Sequence, residues 1–166
     1  MGQIRFTKLH DKLFMRGHTK GADLDNMLQA LHERQISMVI NVAIIPDLYL
    51  AGALRTIGKE YIHEPLSDSH TKPFSQETVR SLVATVVKTV AHGWGVLIHC
   101  DSGRNRSALI AIPALAEISG RPTEEILTEV RLKRPIARGV LDNPRFRKFV
   151  LNWQVVKGEG CADQDL

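Results

Sequence analysis

Val96-Leu97-Ile98-His99-Cys100-Asp101-Ser102-Gly103-Arg104-Asn105-Arg106-Ser107 is the stretch on which the reading of this chain turns. An apolar run of strand length ends in a cysteine, five residues intervene, and an arginine opens a run that is apolar almost all round to Ile118. A strand, a tight loop and a helix start in this order build an anion cradle: loop amides converge on one point and the helix N-terminus adds partial positive charge. Gly103 supplies backbone freedom that residues with side chains resist. Arg106 offers a planar fork that can hold two oxygens of a phosphoryl group. A cysteine at a helix N-terminus beside cations favours the thiolate, the nucleophilic form. Cys100 is therefore the expected nucleophile, Arg106 the phosphoryl clamp, and Ser107 the hydroxyl that stabilises the thiolate when the intermediate breaks down. His99 is read as fixing the cysteine's backbone.

Working outward, the elements alternate. Leu13 to Arg16 is short and apolar and is followed by the turn-like Gly17 and Gly21. Asp23 can cap a helix whose Leu24, Met27, Leu28 and Leu31 share one face. Met38 to Ala43 reads as a buried strand, Leu50 to Ile57 as a short helix, and Tyr61 to Leu66 as another strand leading into Ser67-Asp68-Ser69-His70. Ser75 caps a helix with the stripe Val79, Leu82, Val83, Val86, Val87 and Val90, which Gly93 stops. Further helices begin at Thr123 and around Phe146, the latter with Phe149, Val150 and Trp153 on its apolar side. The alternation predicts an α/β domain with a central, largely parallel sheet flanked by helices on both faces. Pro113 falls inside the predicted central helix, where proline costs roughly 3 kcal/mol, so either a kink or a helix end is expected there.

The motif His99-Cys100-x-x-Gly103-x-x-Arg106-Ser107 resembles the active-site loop of the protein tyrosine phosphatase superfamily, and within it the small, atypical dual-specificity phosphatases. Leu13-Phe14-Met15-Arg16-Gly17, Val39 to Val42 and Arg134-Pro135 sit where that family carries similar segments, and the likeness runs roughly from Ile4 to Trp153. The resemblance implies a phosphomonoester hydrolase working through a phosphocysteine, with residues Asp101, Ser102, Gly103, Arg104, Asn105 and Arg106 binding the phosphate. It also implies a general acid on an upstream loop. Asp68, 32 residues before Cys100, matches that position, with Asp47 as the alternative and His70 as an assistant. An acid is needed because an alkoxide is a poor leaving group, and the same carboxylate can then activate water. The loop reads Leu66-Ser67-Asp68 rather than the Trp-Pro-Asp of tyrosine-specific members, and the chain lacks their long extra segments. A shallow pocket open to phosphoserine and phosphothreonine as well as phosphotyrosine follows. Asp101 stands where phosphoinositide phosphatases commonly carry lysine, which argues against a lipid substrate.

Composition agrees with a single globular domain of the 166-residue chain, expected over residues 1–156, with a polar and disordered tail at 157–166. Apolar residues make up 43% and charged residues 24%, an ordinary globular composition that argues against extensive disorder. The net charge of +4 favours an anionic ligand mildly. No stretch approaches the ~20 apolar residues of a membrane span. With only two cysteines, Cys100 and Cys161, a disulfide framework is not expected, and a soluble protein of the reducing cytoplasm is. The seven histidines are too scattered for a zinc site, and no cofactor or metal is expected. Arg131, Lys133, Arg134, Arg138, Arg145, Arg147 and Lys148 form a basic stretch that could steer phosphorylated protein or RNA. A phosphorylated protein or peptide is thus the expected partner. An RNA 5′-phosphatase of the same superfamily is the second reading, ahead of a rhodanese-type sulfurtransferase or a phospho-binding module.

Overall fold

A computed structural model describes residues 4, 6–17, 23–135 and 139–155. His18, Gly21, Arg138, Cys161 and the 157–166 tail lie outside the described residues. Five strands form one sheet: β1 (Thr7–His10), β2 (Leu13–Gly17), β3 (Ile36–Asn41), β4 (Glu60–His63) and β5 (Gly95–Cys100). Their order is β1-β2-β5-β3-β4. Only the β1–β2 hairpin is antiparallel; β5 runs parallel to β2 on one side and to β3 on the other. The expected α/β architecture is therefore present, with an antiparallel edge strand that the sequence reading left out.

Period-two alternation explains how the sheet is covered. On β5, Val96, Ile98 and Cys100 point into one apolar layer and Leu97 into the other. The first layer is closed by α3 (Gln76–Ala91), α4 (Arg106–Ser119), α5 (Thr123–Lys133) and α6 (Pro144–Leu151), the second by α1 (Leu24–Glu33) and α2 (Leu48–Thr56). Asp23, Asp47, Ser75 and Asn143 each cap a helix by accepting from an amide of its first turn. Strand β3 starts two residues earlier than Met38 and ends before Val42, while β4 stops at His63, so Glu64 to Ser69 run as irregular chain. Trp153 lies just beyond α6 rather than inside it.

From Ala108 to Ala116 helix α4 is apolar all round because it is surrounded: it packs on β2, β5, α3, α5 and α6. It runs through Pro113 without ending, and Pro113 is buried within it. Tight packing on every side makes up for the donor that proline removes. Gly120, at φ +68°, terminates the helix in the left-handed conformation that glycine adopts most easily.

The last helix is locked by an aromatic cluster. Phe74 meets Phe146 edge-on at 5.1 Å and Phe149 at 5.4 Å, and Phe149 packs in turn against Trp153. Phe146 is wholly buried. Phe146→Ala is expected to cost about 3–5 kcal/mol, read as a lower midpoint in urea unfolding with an unchanged slope.

Candidate active site

Strand β5 is the central strand, and its carboxyl end opens on the crevice between β2 and β3, where ligands of open α/β sheets bind. Cys100 is its last residue, 1% exposed. The Gly103 amide donates to Cys100 Sγ at 3.2 Å, and Ser107 Oγ lies 3.4 Å from the sulfur. These two contacts hold the sulfur at the floor of a loop that curls over it.

Close backbone contact with β2 fixes the curl. Gly17 pairs with Cys100 in the parallel register, and Gly103 has φ +62°. A Cβ on Gly17 would stand 2.6 Å from the Ser102 carbonyl carbon, and one on Gly103 would collide with the Gly17 nitrogen. Gly17, a turn residue in the sequence reading, is instead required by close approach. Arg134 closes the outside, donating to Thr7 Oγ1 at 2.7 Å and to the Ser102 carbonyl at 3.4 Å. Burial pulls its guanidinium below the ordinary arginine range, and the nearby Cys100 opposes that shift. Arg16, buried at the end of β2, is drawn down to about 10 by burial and partly restored by Asp47.

Helix α4 begins at Arg106 with Asn105 as its N-cap residue, yet no side chain caps it. The Asn105 amide is engaged elsewhere: it donates to both oxygens of Asp68, at 3.2 and 3.0 Å. The first-turn amides of α4 thus receive no bond from the N-cap side chain. Arg106 is buried in the fold and paired through Nη2 with Asp101, whose carboxylate is largely exposed. An exposed carboxylate thus occupies the terminal nitrogen that a phosphoryl group would contact. Arg104 turns away from the cradle toward Asp142, 3.4 Å distant, and Ser102 is exposed on the rim. His99 is buried on β5, and its carbonyl accepts from the Val42 amide at 2.9 Å.

Asp68 is brought to the cradle by a residue that the sequence reading missed. Asn143, fully buried, donates through Nδ2 to Asp68 Oδ1 at 2.8 Å and to the Ser69 carbonyl at 3.3 Å. Its Oδ1 accepts from the Arg145 and Phe146 amides, and its own amide donates to Asn105 Oδ1 at 3.4 Å. One asparagine joins the N-terminus of α6, the Asp68 loop and the cysteine loop. The Asn143-Pro144 pair, a capping residue before proline at N1, marks a helix start in the sequence, but nothing local points 75 residues back to Asp68. The preceding loop is strained to suit: Leu141 holds φ +56° while its amide donates to the Arg104 carbonyl. Asp47 stands apart from this group as the N-cap of α2, with Oδ1 accepting from the Leu50 amide at 3.0 Å. His70 is exposed, and its carbonyl accepts from Arg145 Nε.

The basic stretch is largely engaged within the fold. Arg131, Arg145 and Arg147 donate to the carbonyls of Val140, His70 and Leu141. Among the described residues no cluster of three histidine, cysteine or acidic side chains could hold a metal, and no helix is long and apolar enough to cross a membrane.

A buried cysteine at the carboxyl end of the central strand, with the Gly103 amide on its sulfur and Arg106 opening the next helix, is the arrangement expected of a cysteine-dependent phosphatase. Residues 21–155 match the family model described as dual specificity phosphatase, catalytic domain, and the chain belongs to that family. None of the curated proteins matches it in sequence. Among solved structures, DUSP15 superposes with a TM-score of 0.70 at 22% identity over 88% of this chain and 85% of that one. The PTP-2 phosphatase of Cydia pomonella gives 0.71 at 20% identity over 88% of each chain. A point variant of human DUSP28 gives 0.67 at 19% identity over 87% of this chain and 90% of that one. The protein is a cysteine-based dual-specificity phosphatase of the tyrosine phosphatase superfamily.

Gly17→Ala is expected to keep the fold, measured by circular dichroism, but to weaken vanadate inhibition at least about tenfold. The added methyl group pushes the cradle open by its 2.6 Å contact with Ser102.

Proposed function

We propose that this phosphatase hydrolyses phosphomonoesters on protein or peptide substrates through a phosphocysteine at Cys100. The observation that carries the reading is the assembly around Cys100 Sγ: the Gly103 amide and Ser107 hydroxyl contact the sulfur, Arg106 closes the loop, and Asp68 is tethered to that loop through Asn105. The substrate phosphate enters the loop, displaces the Asp101 carboxylate from Arg106, and is held by the guanidinium and by amides of residues 101–106. Cys100 attacks phosphorus as the ester P–O bond breaks, and Asp68 gives the leaving oxygen its proton. The carboxylate then takes a proton from water as water attacks the phosphocysteine, returning inorganic phosphate and the thiolate, which Ser107 receives. Asn143 and Asn105 act as positioning residues for Asp68, and His99 for the Cys100 backbone.

The family match over residues 21–155 supports one domain over 1–156, with 157–166 as a tail. A nucleophile that must stay reduced is best served by the cytoplasm, the compartment we assign. The RNA reading loses ground because Arg104 pairs with Asp142, and Arg131, Arg145 and Arg147 bind carbonyls of their own chain.

Cys100→Ser is expected to abolish turnover while vanadate or phosphate binding persists, since amides and Arg106 supply that binding. Residual turnover near the wild-type rate would exclude the covalent step. Asp68→Asn is expected to slow phosphoserine hydrolysis by about 10²–10⁴-fold, but to slow an aryl phosphate with an acidic leaving group far less. Equal small losses on both substrates would return Asp68 to the status of a loop residue and move the assignment to Asp47.

A further inference from the structure

Beside the cradle lies a surface that the chemistry above does not use. Ile44, Ile45, Leu48 and Tyr49 are 55, 76, 74 and 85% exposed, four large apolar side chains within six consecutive residues. Contiguous exposed apolar surface of this kind marks contact with another molecule. Nor is the loop loose. The Asn41 side chain donates to the Ile45 carbonyl at 3.2 Å and to the Tyr61 hydroxyl at 2.9 Å, and accepts from the Ala43 amide at 2.8 Å. The Asp47 amide also donates to the Tyr61 hydroxyl, and His63 Nε2 lies 2.9 Å from the Ala43 carbonyl. Leu48 and Tyr49 stand on the first turn of α2, whose Leu50 and Leu54 are anchored in the core. The apolar groups are thus held outward by a partly buried polar network, and an occupant would order little of the loop on binding.

A cavity of about 410 Å³ runs from Ala43 and Ile45 past Leu48 and Tyr49 to His99 and Asp101. Asp101 lines this cavity and pairs with Arg106, so the cavity borders the rim of the phosphate cradle. A substrate whose phosphate sits over Cys100 must carry the rest of its bulk across the rim, and on this side the rim is apolar. The carboxylates of the cavity, Asp47 and Asp101, disfavour an anionic membrane surface or a nucleic-acid backbone. A protein segment with a large apolar side chain and no acidic neighbour suits both features.

We infer that the shelf of Ile45, Leu48 and Tyr49 receives a large apolar side chain adjacent to the phosphorylated residue of a protein substrate. The inference rests on the protein-phosphatase reading and deepens it by naming a substrate class. Asp101 contributes by repelling acidic flanking residues, so apolar and basic contexts are selected over acidic ones.

The test is a set of phosphopeptides on one scaffold, with leucine, alanine or glutamate on either side of the phosphorylated residue. Each is measured as kcat/KM and normalised to p-nitrophenyl phosphate. The leucine peptide is expected to exceed the glutamate peptide by about tenfold or more, the discrimination that an apolar pocket gives. The double variant Ile45→Ser/Leu48→Ser, altered only at exposed positions, is expected to bring the leucine-to-alanine ratio close to one, and Tyr49→Ser to reduce it. Equal rates across the peptides, a ratio that survives the double variant, or faster hydrolysis of a phosphoinositide in anionic vesicles than of any peptide would each overturn the shelf. Failure of the underlying reading looks different. Turnover of p-nitrophenyl phosphate that persists in Cys100→Ser would overturn the phosphocysteine step, while the peptide ratios would still decide the shelf.

Discussion

Two strands of backbone touch at Gly17 and Gly103, and the active-site architecture follows from that contact. Parallel pairing of β2 with β5 ends at the Gly17–Cys100 register position, and the chain then turns back over β2 instead of continuing as a strand. Only two residues without Cβ atoms can lie that close. Their approach brings the Gly103 amide onto the Cys100 sulfur and sets the start of α4 above it. Arg134 seals the contact from outside through Ser102 and Thr7, so strand β1 also contributes to holding the loop.

A second set of constraints is polar. Asn105 would ordinarily cap the helix it precedes, yet its side chain is given to Asp68 and its oxygen to the Asn143 amide. Asn143 caps its own helix and reaches Asp68 and Ser69 with its remaining donors. A buried amide group carries the cost of desolvation unless its donors and acceptors are met, so this arrangement admits little alternative geometry. The left-handed Leu141 beside it is the strain accepted to bring that loop within reach of the Arg104 carbonyl. Asp68 owes its position to these side chains, since Glu64 to Ser69 form no regular structure.

The charges divide in a way that net charge conceals. An excess of basic residues suggests a cationic face, but Arg131, Arg145 and Arg147 bind carbonyls of their own chain, Arg104 faces Asp142 and Arg134 braces the cradle. At the mouth of the site stand Asp101, Asp47 and a group of exposed apolar residues. The fold is shared with phosphatases at about one-fifth identity, as expected where pattern and backbone geometry fix the architecture and loops set the recognition surface.

Contiguous features were legible in the sequence. The strand, loop and helix from Val96 to Ser107 are local, and their amphipathic periods and turn residues are written in neighbouring positions. The caps Asp23 and Ser75, the stripe on α3 and the burial of most of α4 follow in the same way. Pro113 was undecided because its local penalty is known but the packing that offsets it comes from five other elements. What joined residues far apart in the chain was decided only by the tertiary structure. Gly17 read as a turn residue until Gly103 was folded against it, and Asn143 as a helix start until Asp68 was brought within 2.8 Å. The outward face of Ile45, Leu48 and Tyr49 was equally hidden, because an apolar residue in a sequence carries no mark of which way it will point. Direction is set by Asn41 and Tyr61, whose side chains meet the loop only after β3 and β4 have paired.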